Sequence, residues 1–197
     1  MSESIGLFAI FFAAVFTNNI LLTNYLGMCS FLAVSREVKT SLGLGVAVVF
    51  VMACTSVLNW LVYYYVLVPF DLTYLRYIVF IIVIASFVQL VEMIIERVSD
   101  VLYAALGIFL PLITVNCAIL GVSLFMIIRE YNVRSAFAYG LGSGLGWAIA
   151  ILAMAGIRQK MARSRVPRGL EGAGITLIIA GIMALAFMGF SGMINLN

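Results

Sequence analysis

The sequence predicts an all-α integral membrane protein with six transmembrane helices in two inverted three-helix repeats. Three observations carry that prediction. Of the 197 residues, 65% are hydrophobic and only 10% are charged, whereas a soluble domain has roughly 45–50% apolar and about 25% charged residues. Six stretches without Asp, Glu, Lys or Arg recur along the chain, most of them long enough for the roughly 20 apolar residues that a spanning helix needs. A segment around Cys29 also reappears around Cys117. This composition excludes a soluble enzyme, a nucleic-acid binder and a disordered chain. With no histidine in the chain, His-based general-base mechanisms and zinc-enzyme patterns are excluded as well.

The uncharged stretches are Ser4–Ser35, Thr40–Phe70, Tyr77–Val91, Val101–Ile128, Ser135–Ile157 and Gly172–Asn197. The third is short. It reaches a full span only if Leu72–Leu75 precede it and Met93–Ile95 follow, which places Glu92 inside the helix. Spanning strands would need period-two alternation in segments of about ten residues, and the sequence has none. The connections Arg36–Lys39, Asp71–Arg76, Glu96–Asp100, Arg129–Arg134 and Arg158–Glu171 are too short to hold a soluble domain. Residues 1–197 therefore read as a single membrane domain. The first helix has no basic flank before it, which argues against a cleaved secretory signal.

Loop charge sets the orientation. The first, third and fifth connections carry Arg36, Lys39, Arg97, Arg158, Lys160, Arg163, Arg165 and Arg168, against Arg76, Arg129 and Arg134 in the second and fourth. The positive-inside rule places the odd connections in the cytoplasm and both termini outside.

Cys29-Ser-Phe-Leu-Ala-Val-Ser35 aligns with Cys117-Ala-Ile-Leu-Gly-Val-Ser123, with four of seven positions identical at an offset of 88. Gly43-Leu-Gly45 echoes Gly140-Leu-Gly142. The repeats cover approximately 4–97 and 101–195. Each holds three helices, an odd number, so the second must enter the membrane from the opposite side, as in many transport proteins. The first stretch is longer than one span needs and contains Asn24-Tyr-Leu-Gly27; the fourth contains Pro111 and Thr114-Val-Asn116. Proline removes a backbone donor, and an Asn side chain can bond the groups that a break frees. Helices 1 and 4 are therefore expected to be discontinuous near the midplane, with Asn24 and Asn116 at the breaks.

Cys29 and Cys117 are equivalent in the repeats, whereas Cys54 has no counterpart. A lone cysteine in a membrane helix is usually a small buried hydrophobe, which is the reading for Cys54. For the symmetric pair, three readings stand: buried hydrophobes, a disulfide, or soft ligands of a metal centre. An iron–sulfur cluster takes four Cys as a rule, so a partner would have to supply two. Gly140-Leu-Gly-Ser-Gly-Leu-Gly146 lacks the dinucleotide spacing; its Gly140-x-x-x-Gly144 and Gly142-x-x-x-Gly146 pairs read as close helix packing. The basic fifth connection is a positive-inside anchor, with a cytoplasmic partner or acidic lipid as its functional alternative. Glu92, an acid within a span, is either a functional site or a group that snorkels or pairs with a cation. Tyr63-Tyr-Tyr65 fits an interfacial belt.

Leu26-Gly-Met-Cys-Ser-Phe-Leu-Ala-Val-Ser35 and Leu106-Gly-Ile-Phe-Leu-Pro-Leu-Ile-Thr-Val-Asn-Cys-Ala-Ile-Leu-Gly121 resemble the NqrE/RnfA family of bacterial membrane subunits. Gly156-Ile-Arg158 and Gly189-Phe-Ser-Gly192 extend the likeness to essentially the whole chain. Thr114-Val-Asn-Cys117, Gly142-Ser-Gly-Leu-Gly-Trp147 and Gly174-Ile-Thr176 lean toward the NADH:quinone oxidoreductase branch. Phe16-Thr-Asn-Asn19 and Leu67-Val-Pro-Phe-Asp-Leu-Thr-Tyr-Leu-Arg76 lean toward the RNF ferredoxin:NAD oxidoreductase branch. The first branch is favoured.

The resemblance implies a component, not catalytic alone, of a sodium-exporting NADH:quinone oxidoreductase in the bacterial inner membrane, with both termini periplasmic. It implies that Cys29 and Cys117 bind iron of an intramembrane [2Fe–2S] cluster shared with a paralogous subunit, NqrD-like or RnfE-like, which adds two Cys. Electrons would pass between a periplasmic flavin and a cytoplasmic flavin–iron–sulfur subunit. Flavins and NADH belong to other subunits. An inverted-repeat secondary transporter with a polar site at Asn24, Asn116 and Glu92 is the alternative from a different class. Reporter fusions at Asn197 and near Arg165 are expected to lie in opposite compartments; the same compartment for both would refute the helix count.

Overall fold

The structure, a computed structural model, describes residues 2–98, 110–162 and 172–189. Among these, every regular element is helical: α1 (Ser2–Phe12), α2 (Met28–Val34), α3 (Val38–Val62), α4 (Arg76–Val98), α5 (Leu110–Thr114), α6 (Cys117–Ile128), α7 (Val133–Met161) and α8 (Ala173–Met188). Among the described residues, four stretches are long and apolar enough to cross a membrane: Val38–Leu67, Thr73–Arg97, Pro111–Ile128 and Val133–Met161. Gly6–Thr17 and Ala173–Met188 are shorter apolar helices. Residues 101–109 of the fourth stretch, Arg163, Arg165 and Arg168 of the fifth connection, and the tail at 190–197 lie outside the described residues.

Several boundaries differ from the sequence expectation. The short third stretch gains its length on both sides, through a 3₁₀ turn at Thr73–Leu75 and the run of α4 to Val98. Arg76 thus begins a helix, and Glu92 lies well inside one. Likewise, Arg158 and Lys160 belong to the last turn of α7 and not to the connection after it. Long basic side chains extend a helix past its apolar part because their stems pack on apolar surface while their charges reach water.

α7 is the centre of the fold, and its most extensive contact is with α3. Its glycines form two stripes. A Cβ on Gly144 would sit 2.9 Å from the Val49 Cα, and one on Gly140 would strike Ser56 and the Met52 carbonyl. Both face α3. A Cβ on Gly142 would lie 2.7 Å from the Phe11 carbonyl oxygen, and one on Gly146 would lie 2.8 Å from that of Val15. These face α1 and the π-helical turn that continues it, Ala13–Thr17. The two small-residue pairs thus serve two different neighbours. Backbones come this close only where no side chain intervenes.

Both expected interruptions are present. After Thr17 the chain leaves the helix until Met28, and after Thr114 it leaves again until Cys117. The second falls past Pro111, which sits within α5. Its stop is marked by Asn116, whose side chain accepts from the Ala118 N–H at 3.0 Å and so caps α6. The first is organised by Asn19 rather than Asn24. Asn24 is exposed, while Asn19 is fully buried. The Asn19 Oδ1 accepts from the amides of Leu21 (3.1 Å) and Leu22 (3.3 Å), and its Nδ2 donates to the Val15 and Gly146 carbonyls at 3.1 and 2.8 Å. The sequence points to Asn24 because it stands close to the glycine; the break is longer than that tetrapeptide, and its first buried turn needs the partner.

Long-range side-chain hydrogen bonds lie near each end of α3. Arg158, ending α7, donates to Leu32 and Ser35 just before the first connection. Near the other end of α3, the Trp60 Nε1 donates to the Tyr131 carbonyl in the fourth connection at 2.7 Å. The neighbouring Asn59 ties α3 to the middle of α6, donating to the Ser123 hydroxyl at 2.8 Å. α4 is the least buried of the four long helices.

Asn19→Leu would remove the side-chain partner of two amides and two carbonyls in the interior. The expected loss is about 2 kcal/mol, which for a chain of this size lowers the unfolding midpoint in detergent by roughly 4–8 °C. Asn24→Ala should leave the midpoint within about 2 °C of the parent, since exposed substitutions stay within ~0.5 kcal/mol.

Candidate cofactor site

Each of the repeated cysteines falls on the first turn after a break. Cys29 is the second residue of α2, and Cys117 the first of α6. The breaks pack against each other. Gly27, which ends the first, donates its N–H to the Cys117 Sγ at 2.9 Å. The partner of the Cys117 sulfur thus stands two residues before Cys29 in the chain, so tertiary structure gathers what the sequence separates by 88 positions. All three cysteines are free thiols; Cys29 and Cys117 are exposed, and Cys54 in α3 is half-buried. The disulfide reading is therefore not the observed state.

Gly27 is required where it stands. Its φ is +85°, a left-handed conformation that side chains disfavour. A Cβ there would also lie 2.7 Å from the Trp147 Nε1, 3.0 Å from the Ala118 Cβ and 3.1 Å from the Asn116 Oδ1. The turn is pressed against the Asn116 cap on one side and the α7 tryptophan on the other. Trp147 is wholly buried. Among the described residues, its Nε1 and the Asn116 Nδ2 are buried donors without a hydrogen-bond partner.

The donor set fits half of an iron–sulfur site. Thiolate is a soft ligand suited to iron in such clusters, and exposed sulfurs can meet ligands from outside the chain. The amide at Gly27 is the kind of donor that stabilises charge on a ligating sulfur. Cys117 also lies at the N-terminus of a 12-residue helix, where backbone N–H groups favour negative charge. Two thiols are only half of a four-cysteine set. Among the described residues, no group of three or more His, Cys, Asp or Glu is gathered to hold a metal.

The other candidate residues are not joined to this pair as a polar centre. Asn116 is buried as the α6 cap and Asn24 is exposed, while Glu92 is partly exposed on α4. No hydrogen bond links these three residues. Sequence reasoning does not single out Gly27, Asn19 or Trp147 as parts of the site. Gly27 is legible in principle as a glycine two residues before a repeated cysteine. The contact with Trp147 is not, because it crosses 120 positions.

A family model described as "Rnf-Nqr subunit, membrane protein" matches residues 7–194. The chain is 52% identical over 194 residues to the E subunit of the Na+-translocating NADH-quinone reductase of Psychromonas ingrahamii, covering 93% of this chain and 96% of that protein. It is 54% identical over 190 residues to the protein of the same name from Tolumonas auensis, with the same coverage. Identity to the A subunit of the Na+-translocating ferredoxin:NAD+ oxidoreductase complex of Acetobacterium woodii is 52% over 184 residues, again at 93% and 96% coverage. With a match running nearly end to end and relatives above 50% identity, the chain belongs to the Rnf-Nqr family of membrane subunits.

Proposed function

We propose that this chain is a membrane subunit of a redox-driven, Na+-exporting oxidoreductase, of the NADH:quinone type, and that Cys29 and Cys117 hold one side of a [2Fe–2S] cluster. The observation that carries the reading is that two exposed thiols each stand on the first turn after a helix break and that the two breaks meet, the Gly27 N–H donating to the Cys117 sulfur at 2.9 Å. A paralogous membrane subunit completes the ligand set with two further cysteines. Flavins and NADH reside on other subunits. In this reading the chain crosses the bacterial inner membrane six times as two inverted repeats, with both termini periplasmic.

When bound, the cluster supplies one-electron transfer. The chain's own residues do the rest. Cys29 and Cys117 present thiolates outward toward the partner. The Gly27 amide withdraws charge from the Cys117 sulfur, which favours the reduced state. Asn116 caps the helix that starts at Cys117 and holds that sulfur in register. Close packing of Gly27 on Trp147 leaves no room for a side chain in the turn behind the sulfur.

The ferredoxin:NAD type is the second reading, favoured by the equal identity to the protein from Acetobacterium woodii. The two separate on which donor, NADH or reduced ferredoxin, delivers electrons to the assembled complex. The transporter reading, built on Asn24, Asn116 and Glu92, loses support from the exposure of Asn24 and the use of Asn116 as a cap.

Cys29→Ser and Cys117→Ser should behave alike. Each is expected to abolish the cluster EPR signal and to lower quinone reduction by about 100-fold or more, since loss of an outer-shell partner alone costs a metal site ~10–100-fold. Flavin reduction by NADH should persist, because it precedes the cluster. Cys54→Ala should retain signal and turnover. Normal turnover in an assembled Cys29→Ser or Cys117→Ser complex would overturn the relay reading and return attention to Glu92.

A further inference from the structure

Arg158 closes the Gly156-Ile-Arg158 element, which the proposed function leaves unused. Its Nη1 donates to the Leu32 carbonyl at 3.0 Å and to the Ser35 hydroxyl at 2.8 Å. Both acceptors belong to the C-terminal end of α2, the helix that carries Cys29. Ser35 is fully buried. The contact therefore lies within the fold, and Arg158 itself is half-buried.

α2 needs such a hold. It has seven residues, far fewer than the ~12–15 at which an isolated helix becomes even marginal. It follows a non-helical segment at 18–27 and ends shortly before Glu37, where α3 is about to begin. Its N-terminal end is tied through Gly27 to the Cys117 sulfur. Its C-terminal end presents carbonyls that have no partner within the helix and carries the negative end of the helix dipole. A guanidinium anchored on α7, the most buried of the four long apolar stretches among the described residues, answers both needs.

We propose that Arg158 is a positioning residue for Cys29: it clamps the C-terminal end of α2 to α7 and so fixes where the thiol on the first turn of that helix lies. The clamp is a property of this chain alone. Its consequence for the cluster rests on the ligand reading above. Both acceptors are neutral, so the hold depends on the reach of the side chain as well as its charge. Lysine should restore it only in part. Lys160, exposed in the same last turn, is the natural control for loss of charge.

The test uses the full-length chain in membrane vesicles, with Cys54→Ala and Cys117→Ser leaving Cys29 as the only thiol while keeping an acceptor for the Gly27 N–H. The readout is the rate of labelling by N-ethylmaleimide. Arg158→Gln is expected to change that rate at least three-fold, Arg158→Lys to give an intermediate rate, and Lys160→Gln to match the parent. Ser35→Ala, which removes one acceptor and little else, should shift it in the same direction as Arg158→Gln. In the assembled complex with all cysteines present, Arg158→Gln should lower cluster iron or broaden its EPR signal, with partial rescue by lysine. Labelling of Arg158→Gln at the parent rate would overturn the clamp, as would equal changes in Arg158→Gln and Lys160→Gln. An altered labelling rate in a complex whose Cys29→Ser variant keeps its cluster would uphold the clamp and remove the ligand reading instead.

Discussion

A helix broken among apolar side chains leaves amides and carbonyls that only other protein groups can satisfy, and the rest of this structure follows from where those partners are found. Lipid offers no hydrogen bonds, so irregular backbone persists only where protein encloses it or lines a cavity. Two asparagines meet the demand in the same way. The Asn19 Oδ1 takes the amides of Leu21 and Leu22, and the Asn116 Oδ1 takes that of Ala118. In each case a side-chain oxygen replaces the carbonyl that a continuous helix would have supplied one turn earlier. Asn19 goes further and donates to Gly146 on α7, which fastens the first break to the central helix.

That fastening is available only because α7 has glycines facing α1. With Cβ atoms at Gly142 and Gly146, the carbonyls of Phe11 and Val15 could not approach, and the Asn19 amide would not reach Gly146. Between membrane helices there is no hydrophobic driving force of the aqueous kind, so close packing and buried hydrogen bonds carry association. The alternate stripe, Gly140 and Gly144, does the same service toward α3. One helix thus serves as a common wall for the element that carries the first break and for the long second span.

The chemistry of the paired thiols is set by this frame. Because the turn at Gly27 is wedged between Trp147 and the Asn116 cap, its amide is aimed at the Cys117 sulfur. Cys54, by contrast, lies mid-way along α3, away from any helix start, with no break to present it. The three cysteines differ in backbone setting rather than in intrinsic chemistry. Cys29 and Cys117 stand on the first turns of short helices, exposed and beside the Gly27 donor. Arg158 works at the opposite end of α2, so the short helix is held from both sides by groups distant in sequence.

Composition and the spacing of charges determined by themselves that the chain is helical and apolar, because a bilayer demands long uncharged runs with internally satisfied backbones. The repeat picked out Cys29 and Cys117, since internal similarity needs no knowledge of packing. The glycine pairs of α7 announced close approach, because their four-residue period marks one helix face. Which neighbour each pair meets was decided by the tertiary structure. So was the choice of Asn19 over Asn24 for the first break: both are asparagines in one segment, and only the approach of Gly146 distinguishes them. Gly27 could take its left-handed turn in many folds. It became a donor to a sulfur 90 positions away only when Trp147 and Asn116 closed around it, and contacts of that separation leave no trace in local sequence because they depend on how whole helices pack.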